Sequence, residues 1–216
     1  LDNHTANDIT LQAAAVFYIS AYELAKRHTH ILRMILQCLS SENRLRFLLT
    51  DLSYRHTLLH LIAWFDKTGE IMKTVLELIR EDQYYHLLSA QSSTYQRTPL
   101  HRLCVYKNSA AVLEVIMRLV TSELTRYKLL QIPDSDGYTP LHYAAWCNNT
   151  PAIRIMADSV SSHHLIHLLT ITDNGGHTPV QRAAQLGNQE AVKLLQEYHT
   201  TALIDIAIQQ TDYTGK

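Results

Sequence analysis

Cys147 follows His142 by five residues, a spacing from which a thiolate and its general base could be assembled. His163 and His167 stand four residues apart, so one helical turn would bring two imidazoles to the same face as metal ligands. Neither pair is sufficient alone. A nucleophile also needs a cleft, a group to orient its base and an oxyanion site, and a zinc ion wants three or four ligands where His163 and His167 have no fixed third partner. Cys38, Cys104 and Cys147 are odd in number, widely spaced and without a C-x-x-C pair, which suits ordinary free thiols in a reducing compartment. With six glycines in the chain there is no G-x-x-x-x-G-K-S/T loop and no G-x-G-x-x-G turn, and H-E-x-x-H and G-x-S-x-G are also missing. These features predict a protein that is not an enzyme and has no metal and no cofactor.

The bulk composition agrees. The chain has 216 residues, of which 46% are hydrophobic and 18% charged, enough to bury a large core. Lys and Arg number 19 against 20 for Asp and Glu, and no basic block is long enough for a polyanion, so nucleic acid is not an expected partner. No secretion signal opens the chain and no apolar run reaches membrane-spanning length, so no membrane insertion and an intracellular, cytoplasmic location are expected. The first residue is Leu1, and the chain is expected to be part of something longer.

The elements that must position these side chains repeat. RHTLLHLIAWF begins at Arg55, QRTPLHRLCVY at Gln96, GYTPLHYAAWC at Gly137 and GHTPVQRAAQL at Gly176. Their threonines, Thr57, Thr98, Thr139 and Thr178, are separated by 41, 41 and 39 residues, and a small residue lies six positions after each. Behind each motif a second apolar stretch runs at helical spacing, for example Val112, Val115, Ile116 and Leu119. Asn148 and Gly187 between the two stretches tolerate a left-handed reversal, which predicts a helical hairpin. Each unit then closes on a Leu-Leu segment (NRLRFLLTDL, QYYHLLSAQ, TRYKLLQIP, HLIHLLTIT), expected to be a short helical turn with Ser41, Ser122 and Ser162 as N-caps.

TPLHYAA at Thr139–Ala145, with Asp134 and Gly137 forming a turn before it and Asp173, Gly176 and Gly187 repeating the arrangement, resembles the ankyrin repeat. The period is about eight residues longer than the family's, Leu58 replaces the first proline and Gln181 replaces the last histidine. The resemblance implies an all-α, ankyrin-type α-solenoid of stacked helical hairpins with short β-turn or loop tips and an extra short helix per repeat. It implies one array over 1–216: a divergent unit 1–51 containing ITLQAAAV at Ile9, then 52–92, 93–133, 134–172 and 173–211. Asp212, Gly215 and Lys216 would begin a further, truncated repeat.

The resemblance also implies that Thr57, Thr98, Thr139 and Thr178, with His60, His101 and His142, hydrogen-bond within and between neighbouring turns rather than do chemistry. Partner contacts in such arrays come from the turn tips and the exposed side of the first helix. Transferred residue by residue, this set is His56, Trp64, Phe65, Arg97, Arg102, Tyr106, Tyr138, Tyr143, Trp146, His177 and Arg182. It is aromatic and basic, as binding hot spots are, and is expected to form a groove. The leading functional expectation is a non-catalytic module docking a partner protein or peptide on its concave face. The alternatives are a positioning segment of a larger effector, receptor or channel, and an enzyme with a Cys/His site.

Overall fold

Each threonine motif opens a helix, and the helices recur in threes. The computed structural model describes residues 29–49, 51–52, 56–106 and 109–214; ITLQAAAV lies outside them. Helix α1 spans Thr29–Cys38 and α2 Ser41–Leu49, and the two-residue strands β1 (Asp51–Leu52) and β2 (His56–Thr57) pair antiparallel. The next units are α3 (Leu58–Phe65), α4 (Glu70–Glu77) and α5 (Tyr84–Leu88), then α6 (Pro99–Val105), α7 (Ala110–Leu119) and α8 (Glu123–Leu130). They are followed by α9 (Pro140–Trp146), α10 (Thr150–Asp158) and α11 (Ser162–Thr170), and by α12 (Pro179–Gln185) and α13 (Gln189–Thr214). First helices α3, α6, α9 and α12 stack in one row, and second helices α1, α4, α7, α10 and α13 in another. The apolar side chains between these rows make one continuous core, from Leu32 to Ala202. Among the described residues no helix is long and apolar enough to cross a membrane.

The motif works as a local cap and as a link between units. Thr57, Thr98 and Thr139 are N-caps in extended conformation, and each forms a reciprocal capping box with the histidine three residues on. The Thr N–H donates to His Nδ1, at 3.3 Å for Thr57–His60, 3.0 Å for Thr98–His101 and 3.2 Å for Thr139–His142. The other ring nitrogen reaches the next unit: His60 Nε2–H donates to Arg97 O (2.7 Å), His101 to Tyr138 O (2.9 Å) and His142 to His177 O (3.0 Å). A carbonyl cannot donate, so Nε2 carries the proton and each imidazole is neutral. Burial agrees, holding His60 and His101 down to about 4 and lowering His142 as well. Gln181 keeps the cap, accepting the Thr178 N–H at 2.8 Å.

The third helices clasp the second row. Arg126 in α8 donates to Val120 O and Thr121 O at the end of α7 and to Ser159 O at the end of α10 (2.7 Å). Arg44 in α2 does the same, bonding Leu36 O in α1 and Leu78 O after α4. Tyr84, at the equivalent place in α5, donates to Leu76 O (2.9 Å). The arginines thus supply donors to helix-end carbonyls, and Tyr84 adds a second donor to Leu76 O, which Ile79 N–H also bonds.

Several expectations shift by a residue. Ser122 caps α8 as expected, its side chain accepting from Thr125 N–H. Ser41 and Ser162 instead begin their helices, and the caps are Ser40, whose Oγ accepts from Asn43 N–H, and Ser161. In α2 the buried pair is Phe47-Leu48 rather than Leu48-Leu49, because Arg44 must face the second row. The third segments are full helices in three units, and in the last unit no break separates it: α13 runs on through Asp212, which therefore lies in a helix and not in a turn. YHTTAL lacks the serines that end α10, so nothing stops the helix. Gly215 and Lys216 lie outside the described residues.

Replacing His142 with Ala removes a cap and the link to the His177 carbonyl, which keeps only the Asp173 N–H, so urea unfolding is expected to show a loss of about 2–4 kcal/mol. His142→Gln, which can retain the cap as Gln181 does, is expected to recover about 1 kcal/mol of that loss. The histidines also set a pH dependence. Their folded pKa values lie below the unfolded value, so the unfolded chain takes up protons that the folded one cannot, and stability present above about pH 6.5 is lost towards about pH 4. The unfolding midpoint is expected to fall steadily across that window, and to fall less in His101→Gln.

Candidate partner-binding surface

The stacking that links the histidines also sets the residue before each threonine against the residue four after the next threonine. Three such rungs run along the first-helix row. Arg102 Nη2–H donates to His56 Nε2. The Arg97 guanidinium lies 5.0 Å over the Tyr143 ring, and that of Arg182 lies 5.3 Å over Tyr138. The backbone carbonyls of Arg97, Tyr138 and His177 accept the histidine bonds, which leaves their side chains free to vary.

A buried carboxylate completes two of the rungs. Asp134 Oδ1 accepts the N–H groups of Asp136 (2.9 Å) and Tyr138 (3.0 Å), tying its turn. Its Oδ2 takes the Tyr143 hydroxyl at 2.7 Å and Arg97 Nε at 3.4 Å. Asp173 repeats this, with Oδ1 holding Gly175 N–H and His177 N–H and Oδ2 accepting from Arg182 Nε. The hydrogen bonds from Arg182, His177 and Gly175 outweigh burial and keep the Asp173 carboxyl down at about 2, while Asp173 in turn raises Arg182. His177 Nδ1 lies 3.6 Å from Asp173 Oδ1.

The remaining rung differs. Ser92 stands where Asp134 and Asp173 stand in their turns: its N–H donates to Arg97 O (2.8 Å) as theirs do to Tyr138 O and His177 O, and its Oγ accepts the Arg97 N–H. Ser92 brings no charge. Arg102 is half-buried and lowered by that burial, with Arg97 adding repulsion, and among the described residues its Nε meets no acceptor. Its guanidinium rests 5.0 Å over Trp64.

The aromatic set falls into two neighbouring pads. Trp64 stacks on Phe65 (5.3 Å) and on Tyr106 (6.4 Å). Tyr138 meets Trp146 edge-on at 5.4 Å and Tyr143 at 5.6 Å. Trp64, Tyr106 and Trp146 are 41%, 39% and 43% exposed, whereas Phe65, Tyr138 and Tyr143 are half-buried.

His142 and Cys147 do not pair. Both ring nitrogens of His142 are engaged, Nδ1 with Thr139 and Nε2 with His177 O, so His142 is not available as a base for Cys147. Burial raises the half-buried Cys147 thiol and, further, the fully buried Cys104, whose Sγ lies 3.8 Å from Met156 Sδ. His167 Nδ1 meets the Tyr127 hydroxyl at 3.0 Å, and among the described residues no group of three or more His, Cys, Asp or Glu could hold a metal ion. Sequence reasoning missed the second oxygens of Asp134 and Asp173. It also missed Asn149 and Asn188, whose amides donate to Cys104 O and Tyr106 O and to Ala145 O and Trp146 O, closing the first helix of the preceding unit. The Asn ten residues after the threonine in three units, Asn108, Asn149 and Asn188, was a usable signal.

A family model for ankyrin repeats, in three copies, matches residues 59–166 and 118–210. No curated protein matches the chain.

With His142 engaged elsewhere and its thiol raised by burial, Cys147 is expected to react with iodoacetamide at neutral pH more slowly than a free thiol of ordinary pKa. Mass spectrometry of the alkylated protein measures the rate, and alkylation faster than that of glutathione would restore the nucleophile.

Proposed function

Because the chain belongs to the ankyrin repeat family, whose arrays are in general protein–protein interaction modules and typically not catalysts, we propose that it docks a partner protein or peptide on the concave face formed by its turn tips and first helices. The carrying observation is the exposure of Trp64, Tyr106 and Trp146 beside a row of arginines, on a surface whose backbone is already fixed by the histidine links. Rigid aromatic platforms lose little conformational freedom on binding, and arginine supplies directed donors, so such a face suits a protein ligand. The chemistry of any pathway then belongs to what is docked or to what the array is joined to.

The double variant Trp146→Ala with Arg102→Ala is expected to keep the thermal unfolding midpoint within a few degrees while losing the proteins that the native chain retains from a lysate of the source cell. Glu114→Ala on the second-helix row is the control and is expected to retain them. Retention by the double variant would remove the concave face from consideration.

A further inference from the structure

The rung pattern identifies what the partner must bring. In two turns a buried aspartate sits beside the cation: Asp134 holds Arg97, and Asp173 holds Arg182. In the third turn the same backbone position is Ser92, with the same N–H bond to the carbonyl before the threonine. That turn is one residue longer, and Gln96 at φ 53° takes the left-handed place that Gly137 fills at φ 82° in the next unit. Arg102 occupies the same repeat position as Arg182 and points into the same row, yet its only hydrogen bond among the described residues is to the imidazole of His56. It is a half-buried cation with an acceptor missing at Nε, packed on the exposed Trp64 ring.

Resting on the docking role above, we propose that Arg102 receives a carboxylate from the partner, so that the favoured ligand is an acidic peptide segment whose Asp or Glu fills the place left by Ser92, with an aromatic or apolar neighbour lying on Trp64 and Tyr106. A carboxylate matches a guanidinium better than a neutral acceptor does, because both partners are charged and two N–H groups can point at two oxygens. Arg97 nearby repels the Arg102 charge, which strengthens the demand for an anion. The stacked Trp64 and Tyr106 beside the cation exclude water from one side, which raises the value of the pair.

A library of random dodecapeptides displayed on phage, selected on the full chain, tests this. Enriched peptides are expected to share an Asp or Glu, and its replacement by Ala should weaken binding to the native chain roughly tenfold, the scale of one charge-assisted pair. The same replacement should have little effect on Arg102→Gln. Ser92→Asp, which supplies the carboxylate within the chain, is expected to weaken the acidic peptides similarly, and Arg102→Gln keeps the test valid if that variant does not fold. Peptides that depend on Trp146 but are indifferent to Arg102→Gln, or that carry no shared acid, would overturn the Arg102 assignment and leave the docking face standing. Peptides indifferent to both positions, or a selection that enriches none, would overturn both.

Discussion

The structure depends on a buried imidazole with two obligations. His60, His101 and His142 each accept a hydrogen bond from their own turn and donate one to the next, through two nitrogens held apart by one rigid neutral ring. A neutral ring in an apolar seam is stable only while both nitrogens are satisfied. The spacing of successive turns is therefore set by the reach of the imidazole, and everything on the first-helix row inherits that spacing. The rungs His56–Arg102, Arg97–Tyr143 and Tyr138–Arg182 follow because the carbonyl each histidine holds belongs to the residue before the threonine.

The longer period adds a second fastening on the far side. Arg44, Tyr84 and Arg126 reach from the third helices to the carbonyl ends of the second row, and Arg44 and Arg126 each span two successive units. Histidines fasten one edge of the stack and these side chains the other, with the apolar rows between. Both fastenings meet at the junction that holds His101 on one side and Arg126 on the other. A surface held in this way can be varied at its tips without cost to the core, which is how a neutral Ser92 can replace an aspartate in one turn.

Much of this was legible in the sequence. The threonine–histidine spacing, the left-handed Asn148 (φ 50°) and Gly187 (φ 72°) and the first-helix positions of both tryptophans follow from local rules, because a cap, a reversal and a helix face each involve only a few consecutive residues. Serine caps misplaced by one at Ser41 and Ser162 mark the limit of that reasoning, since adjacent serines are equivalent until the neighbouring unit chooses. The Arg97–Asp134 and Arg182–Asp173 pairs were illegible because Asp134 and Asp173 already had a local task in their turns; their second oxygens are committed only once units stack. The fusion of α13 was hidden for the opposite reason: it comes from the absence of a stop signal.

The central claim is tested most directly by nitrogen-15 NMR of the imidazoles in the folded chain between pH 8 and 5. Three rings that stay neutral with the proton on Nε2 throughout, assigned to His60, His101 and His142, are the predicted result. Titration of these rings near the ordinary histidine value, or a proton on Nδ1, would contradict it.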